Sequence, residues 1–267
     1  MRRNISWLLL AMVFAVFAPE GASAQRAISH QGMMEPHVTV NVASQVSGIL
    51  EEVLVKRGDI VTKGQVLATL RAGVEKADME QASALLDFNR RKLDRNKELF
   101  AKGNISANDE DEMETEIKKD EAILHQVTAK LEMKTIRSPV DGVVVKVDLS
   151  AGEYVGEKPI MTIAQINPLN VEVVVSVSEY GSIKKGMLAE VRPESPIGGV
   201  YTGKVTIVDR VVNAASGSFG VRVELPNSNL AIPSGLRCNV KFKGIEAPKE
   251  RTALPTRPKS VSPKGIE

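Results

Sequence analysis

The feature that most constrains this chain is that it repeats part of itself about 94 residues further on. Ala43-Ser44-Gln45-Val46-Ser47-Gly48-Ile49-Leu50, followed by Arg57-Gly58-Asp59-Ile60-Val61, aligns without a gap on a second stretch. That stretch is Arg137-Ser138-Pro139-Val140-Asp141-Gly142-Val143-Val144, followed by Ala151-Gly152-Glu153-Tyr154-Val155. Ser44 falls on Ser138, Gly48 on Gly142, Gly58 on Gly152, Val61 on Val155 and Val66 on Ile160. A glycine beside a short apolar strand, then a Gly-acid turn, answers backbone demands, because glycine enters φ > 0 turns without steric cost. Neither copy can bury a face alone, whereas the two packed together close a small β-sandwich.

What separates the copies reads as helix. Val74 to Lys102 contains no proline or glycine, and Met79, Leu86, Leu93 and Phe100 recur every seventh residue. After Gly103-Asn104-Ile105, Met113, Ile117, Leu124, Val127 and Leu131 mark a second helix, with Ile117, Leu124 and Leu131 again seven apart. Two heptad stripes joined by a short Gly-containing turn predict an antiparallel coiled-coil hairpin over 71–134. Gly103 suits the left-handed position that ends a helix. Ser106-Ala107-Asn108-Asp109 fits a capping box, and Asp109 to Glu112 places four acids at the positive end of the next helix dipole. Each arm, at 1.5 Å per residue, reaches roughly 40 Å. No small-domain core needs such an arm, so it serves to reach another molecule.

The second β copy extends to Ile166, and Asn167-Pro168 marks the next boundary. Beyond it Val171, Val173, Val175 and Val177 alternate with polar residues, as do Val221, Val223 and Leu225, and Leu236, Cys238, Val240 and Phe242. Short alternating strands with Gly/Pro/Asn/Ser turns predict a small antiparallel β-barrel over 167–244, with one helical turn within Ser178–Lys185. The remainder, 245–267, rich in proline and lysine, reads as a flexible tail. At the other end Arg2-Arg3, the apolar run Trp7–Ala18 and Ala22-Ser23-Ala24 have the layout of a cleaved signal peptide over 1–24, with 25–37 a mobile leader. No cysteine near that site offers a lipid anchor. Cys238, the only cysteine, falls on the apolar face of its strand and is expected to be an inert core residue. A net charge of +2 and 4% aromatic residues give no case for nucleic-acid binding.

The fold class is therefore mainly β with an inserted α-helical coiled-coil hairpin: a split sandwich over 38–70 plus 135–166, followed by the barrel. The strings Val46-Ser47-Gly48-Ile49, Lys56-Arg57-Gly58-Asp59-Ile60-Val61-Thr62-Lys63-Gly64-Gln65-Val66-Leu67 and Ile136-Arg137-Ser138-Pro139-Val140-Asp141-Gly142-Val143-Val144 resemble the two halves of a biotinyl/lipoyl domain. A lipoyl-like domain split by a helical hairpin and followed by a β-barrel resembles the periplasmic adaptors, also called membrane fusion or HlyD-like secretion proteins. The resemblance covers about 38–244. It implies an exported periplasmic subunit of a Gram-negative bacterium that bridges an inner-membrane pump to a TolC-type outer-membrane channel. The pump is of the resistance-nodulation-division or ATP-driven class, and the adaptors assemble as rings, often hexameric. The family's tip pattern (Arg, three residues, Leu, six residues, Ser) is met by Arg95, Leu99 and Ser106, which the resemblance implies contact the channel. Longer members end in a membrane-proximal β domain. With 23 residues after Gly244 the expectation is that most of it is missing and that the barrel carries the pump contact.

Two other functions compete. A biotin or lipoate carrier presents a lysine at an exposed tip, and Met133-Lys134 invites that reading. Yet Lys134 stands at the end of the second helix, where the hairpin occupies the tip position. A structural envelope coiled coil without transport is permitted by the heptads alone and disfavoured by the split β halves. Catalysis has no support. His30, His37 and His125 lack partners at metal-ligand spacing and are read as solvated or capping, the first two ahead of the folded region. No nucleophile elbow or phosphate loop is present, and neither cofactor nor metal is expected.

Overall fold

The protein is described by a computed structural model over residues 29–102 and 106–244. The segment read as a signal peptide, the tail from Ile245 onward and Gly103–Ile105 lie outside the described residues.

The repeat builds two sets of four strands. The first is β1 (His30–Val42), β2 (Gly48–Val53), β3 (Ile60–Val61) and β4 (Val66–Leu70). The second is β5 (Thr135–Arg137), β6 (Gly142–Val147), β7 (Tyr154–Val155) and β8 (Met161–Ser176). Neither set forms a sheet of its own. One sheet runs β1-β8-β6-β3 and the other β5-β4-β2-β7, so each takes strands from both halves. Reciprocal bonds record the exchange: Gly58 N–H donates to Val144 O and Gly152 N–H to Leu50 O, both at 2.8 Å. Local capping repeats as well. Ser44 Oγ donates to Val46 O and Ser138 Oγ to Val140 O, both at 2.6 Å. Asp59 Oδ2 accepts from Lys56 N–H at 2.7 Å, and Glu153 Oε2 from Ser150 N–H at 3.3 Å. Between the sheets lie matched pairs, Leu50 with Val144, Val61 with Val155 and Leu67 with Met161, all buried. Removing these apolar surfaces from water is what holds the halves together.

The glycines divide by cause. Gly58, at φ 94°, and Gly152, at φ 90°, need the left-handed region, as the turn reading expects. Gly48 and Gly142 do not. A Cβ on Gly142 would strike the Ala164 carbonyl oxygen and lie 2.9 Å from its carbon, so a close backbone approach across β6–β8 demands glycine there. At Gly48 the nearest atom is the flexible Leu70 Cδ1 at 3.5 Å, an ordinary contact.

Six strands close the barrel. The second half of β8 is followed by a 3₁₀ turn at Val177–Glu179, then β9 (Leu188–Pro193), β10 (Tyr201–Val208), β11 (Ser218–Leu225) and β12 (Arg237–Phe242). The order β1-β12-β9-β10-β11-β8 is closed by pairing of β8 with β1. One expectation is corrected here. Residues from His30 to His37, read as leader, form the first half of β1, where Met34 is fully buried and Gly32 pairs with both Cys238 and Val173. Composition misled, because His-Gln-Gly-Met-Met-Glu-Pro shows no alternation; the strand exists because β8 and β12 would otherwise expose unpaired edges. Asn167-Pro168 does stand at the expected boundary, between the β6 pairing of β8 that reaches Ala164 and its β11 pairing that starts at Leu169, but within a strand and not between elements. β8 runs through it, and the ladder to β1 absorbs it as an irregularity beside Pro36 and Val38. β1 and β8 therefore belong to both β units. Asn227, buried beneath this junction, donates to Ile166 O at 3.0 Å and Ile232 O at 2.9 Å.

Candidate functional site

The hairpin consists of α1 (Gly73–Ala101) and α2 (Ala107–Glu132). Leu86 is buried, and Met79, Leu93 and Phe100 are partly buried against Met113, Ile117, Leu124 and Leu131, as the heptads predict. The sequence reading missed the neighbouring seam row on α1, which is Ala82, Asn89 and Asn96. Asn89 Nδ2 donates to Asp120 Oδ2 at 2.6 Å, and Asp120 is only 2% exposed; Asn96 lies 3.6 Å from Met113 Sδ. Polar groups in an apolar seam bond well in one alignment only, so these pairs set the register of α1 against α2. The signal was present as a second seven-residue row, Ala82-Asn89-Asn96, one turn from the apolar one.

Of the residues assigned to the tip, Arg95 and Leu99 lie one turn apart on the outward face of α1, both exposed, Leu99 by 40%. Phe100 turns into the seam and frees Leu99 from any core role. Ser106 is the N-cap of α2. Its Oγ accepts from Asp109 N–H at 3.3 Å, while Asp109 Oδ2 accepts from Ser106 N–H at 3.2 Å, a complete capping box. Because the hydroxyl of Ser106 also donates to Asp109 Oδ2 at 2.7 Å, its first duty is to hold the start of α2.

The two flanks of the hairpin differ. On one, Arg90 and Glu121 join the helices by an ion pair at 2.7 Å. On the other a groove is lined by Asn89, Lys92, Asp109, Glu112, Met113 and Glu116. Leu85 and Phe88 stand seven and four residues before Lys92 in helical step, and Ile123 seven after Glu116, so all three lie on that flank. They are exposed.

At the root, Lys134 Nζ is paired to Glu75 at 2.8 Å, and its side chain is only 15% exposed. The hydrogen bond from Lys134 holds the Glu75 carboxyl below its ordinary range. A lysine held between helix and sheet has none of the reach a swinging cofactor arm requires. The histidines are corrected in place. His30 and His37 lie within β1, where His30 packs 3.3 Å from Glu179 and against the Phe242 ring, and His37 Nδ1 is 3.4 Å from Asn170 Oδ1. His125 is exposed on α2. Cys238 is buried between β1 and β9, and burial, with the Glu194 charge behind it, pushes its thiol up to about 11. Among the described residues no group of three His, Cys, Asp or Glu is placed to hold a metal ion, and no helix is long and apolar enough to cross a membrane.

This combination of an interleaved barrel-sandwich, a projecting hairpin and a six-stranded barrel defines a class of envelope proteins. Residues 38–165 match the family model of the CzcB-like barrel-sandwich hybrid domain, and 169–246 that of the CusB-like β-barrel domain. Together the two models take in most of the chain, which belongs to the membrane fusion protein family. It is 28% identical to the pyoverdine export membrane fusion protein PvdR of Pseudomonas aeruginosa, over 68% of this chain and 55% of that one. To the multidrug resistance protein MdtE of Escherichia coli it is 25% identical, over 74% of this chain and 59% of that one. The chain thus spans less than two thirds of these relatives. A crystal structure of a chimera of MacA carrying the MexA α-hairpin of Pseudomonas aeruginosa shares the fold, with a TM-score of 0.69 over 83% of each chain at 24% identity.

Proposed function

We propose that the protein is the periplasmic adaptor of a tripartite machine, linking an inner-membrane transporter to a TolC-type outer-membrane channel for efflux or secretion. The observation that carries this reading is the hairpin. Its helices of 29 and 26 residues have a register set by buried polar pairs and project from a β base with which most of their length shares no core. At the free end Arg95 and Leu99 offer a guanidinium and an apolar anchor side by side, a pairing suited to docking against helix ends. Ser106 caps the start of α2. Leu85, Phe88 and Ile123 supply an apolar lateral flank for a second copy, as ring assembly requires, a hexamer being the stoichiometry that the resemblance implies.

The test is photo-crosslinking in cells from position Leu99, with a control probe at Glu80, which is exposed near the root of α1. A crosslink to an outer-membrane channel from Leu99 and not from Glu80 is expected. Capture of only other copies of the chain from Leu99, or of nothing, would remove the docking claim and leave a structural coiled coil.

A further inference from the structure

All strands of the barrel carry loops or termini at the end far from the hairpin, and that end gathers exposed apolar side chains beside several cations. β8 finishes there, β10 turns into β11 there, and β1 and β12 place Ser29 and Gly244 there. Val211, in the β10–β11 connection, is 83% exposed, and Tyr180, Val177, Leu188 and Ile207 are each exposed by between 44% and 48%. Tyr180, Ile183, Ile207 and Val208 line a shallow groove that Lys184, Lys185 and Arg210 border. None of these three cations is in an ion pair among the described residues. The nearby acids are turned away or occupied. Glu179 packs on His30 at 3.3 Å, Glu190 pairs with Arg192, and the Asp209 carboxylate lies over the Gly220 backbone. Lys243 adds a further cation where β12 ends.

We propose that this end of the barrel docks on an anionic phospholipid surface. Exposed valine, leucine, isoleucine and tyrosine side chains at loop tips, ringed by unpaired lysine and arginine, are what an interfacial protein presents. The apolar groups enter the headgroup boundary while the cations meet phosphate. Tyr180 has the ring and hydroxyl favoured at such a boundary. Docking here would stand the hairpin away from the membrane. The inference concerns the barrel alone and does not depend on what the hairpin tip meets.

The test uses the chain from Gln25 onward, as cleavage after Ala24 is expected to leave it, and extruded vesicles of equal parts phosphatidylglycerol and phosphatidylcholine, with pure phosphatidylcholine as the neutral comparison. Co-sedimentation is read for the parent chain, for Lys184→Gln/Lys185→Gln/Arg210→Gln, and for Val211→Ser. A control, Lys118→Gln/Lys130→Gln/Lys158→Gln, removes the same charge from the hairpin and the sandwich. The parent and control are expected to partition alike onto anionic vesicles and to be released by salt. The barrel triple should lose at least about tenfold, since each cation near such a surface contributes substantially to binding. Val211→Ser should bind more weakly than the parent at every salt concentration. All substituted side chains are solvent-facing, so folding is undisturbed. Equal binding to neutral vesicles, an unaffected barrel triple, or loss in the control as large as in the barrel triple would overturn the proposal. So would no vesicle binding by the parent coupled with a specific crosslink from Lys184 to a membrane protein's periplasmic domain, which would make this a protein-docking surface.

Discussion

The repeat places Gly48 and Gly142 at equivalent positions, yet the structure assigns them different tolerances, and the pair makes a sharp test of how the halves interlock. An alanine methyl at Gly142 meets the carbonyl of Ala164 on β8, backbone that cannot step aside without breaking the β6–β8 ladder. Overpacking of this kind costs about 1–3 kcal/mol, and a rigid obstacle puts the site at the upper end. At Gly48 the same methyl finds Leu70 Cδ1 at 3.5 Å, with no positive φ to strain. There the loss of unfolded-state freedom should offset or exceed any crowding, for a change between zero and about 0.5 kcal/mol of stabilisation. The expected gap of about 2–3 kcal/mol corresponds to roughly 5–10 °C in Tm for a folded unit of this size. Differential scanning calorimetry of Gly48→Ala and Gly142→Ala beside the parent measures it. Equal Tm values for the two variants would refute the reasoning, because the β6–β8 approach would then be no tighter than its repeat partner.

Other consequences follow from the same structure. Leu86→Ala, in the hairpin seam, should cost about 2–4 kcal/mol and show as loss of helical circular dichroism while the β signal melts as in the parent. Ser106→Ala deletes the cap of α2 and should cost about 1 kcal/mol, seen as faster amide exchange in the first turn of α2; unchanged protection there would show the cap idle. Cys238 should resist maleimide at neutral pH until the protein is unfolded. Its thiol titrates near 11 when folded, against an ordinary value of 9.0, so between those limits the unfolded chain holds fewer protons. Stability should therefore fall as pH rises from 9 to 11, a slope that Cys238→Ala removes. An intact-mass spectrum should show no biotin or lipoyl increment, given the confinement of Lys134 beside Glu75.

Much of this architecture could be read from the chain because the relevant signals are local. Heptads at Met79, Leu86, Leu93 and Phe100 placed α1, Ser106 with Asp109 marked the start of α2, and alternation at Val171, Val173 and Val175 placed the barrel half of β8. The tip residues came from the resemblance, whose tip pattern Arg95, Leu99 and Ser106 meet, and the structure leaves Arg95 and Leu99 outward and exposed. The polar seam of Asn89 and Asp120 was overlooked, since an asparagine row looks like solvent-facing surface until the partner helix is set beside it. The start of β1 was overlooked for a related reason: Gly32, Met34 and Pro36 hold no alternating pattern, and their reason for being extended lies in β8 and β12, far along the chain.

By itself, then, the sequence determined most of the helices and strands and the inward faces of their apolar residues, the first half of β1 and the polar seam excepted, because 3.6- and 2-residue periodicities arise within one element. It also determined, through its repeat, that two equivalent β halves must share one core. Tertiary structure alone decided that strands are exchanged between the halves, that β1 and β8 run on into the barrel, and that Gly142 and not Gly48 is indispensable. It likewise gathered Tyr180, Lys184, Ile207 and Arg210 at one end of that barrel. Those outcomes depend on which strand edge meets which other, and edges carry the same N–H and C=O groups whatever their side chains, so the choice is settled only when distant segments compete for the same partners.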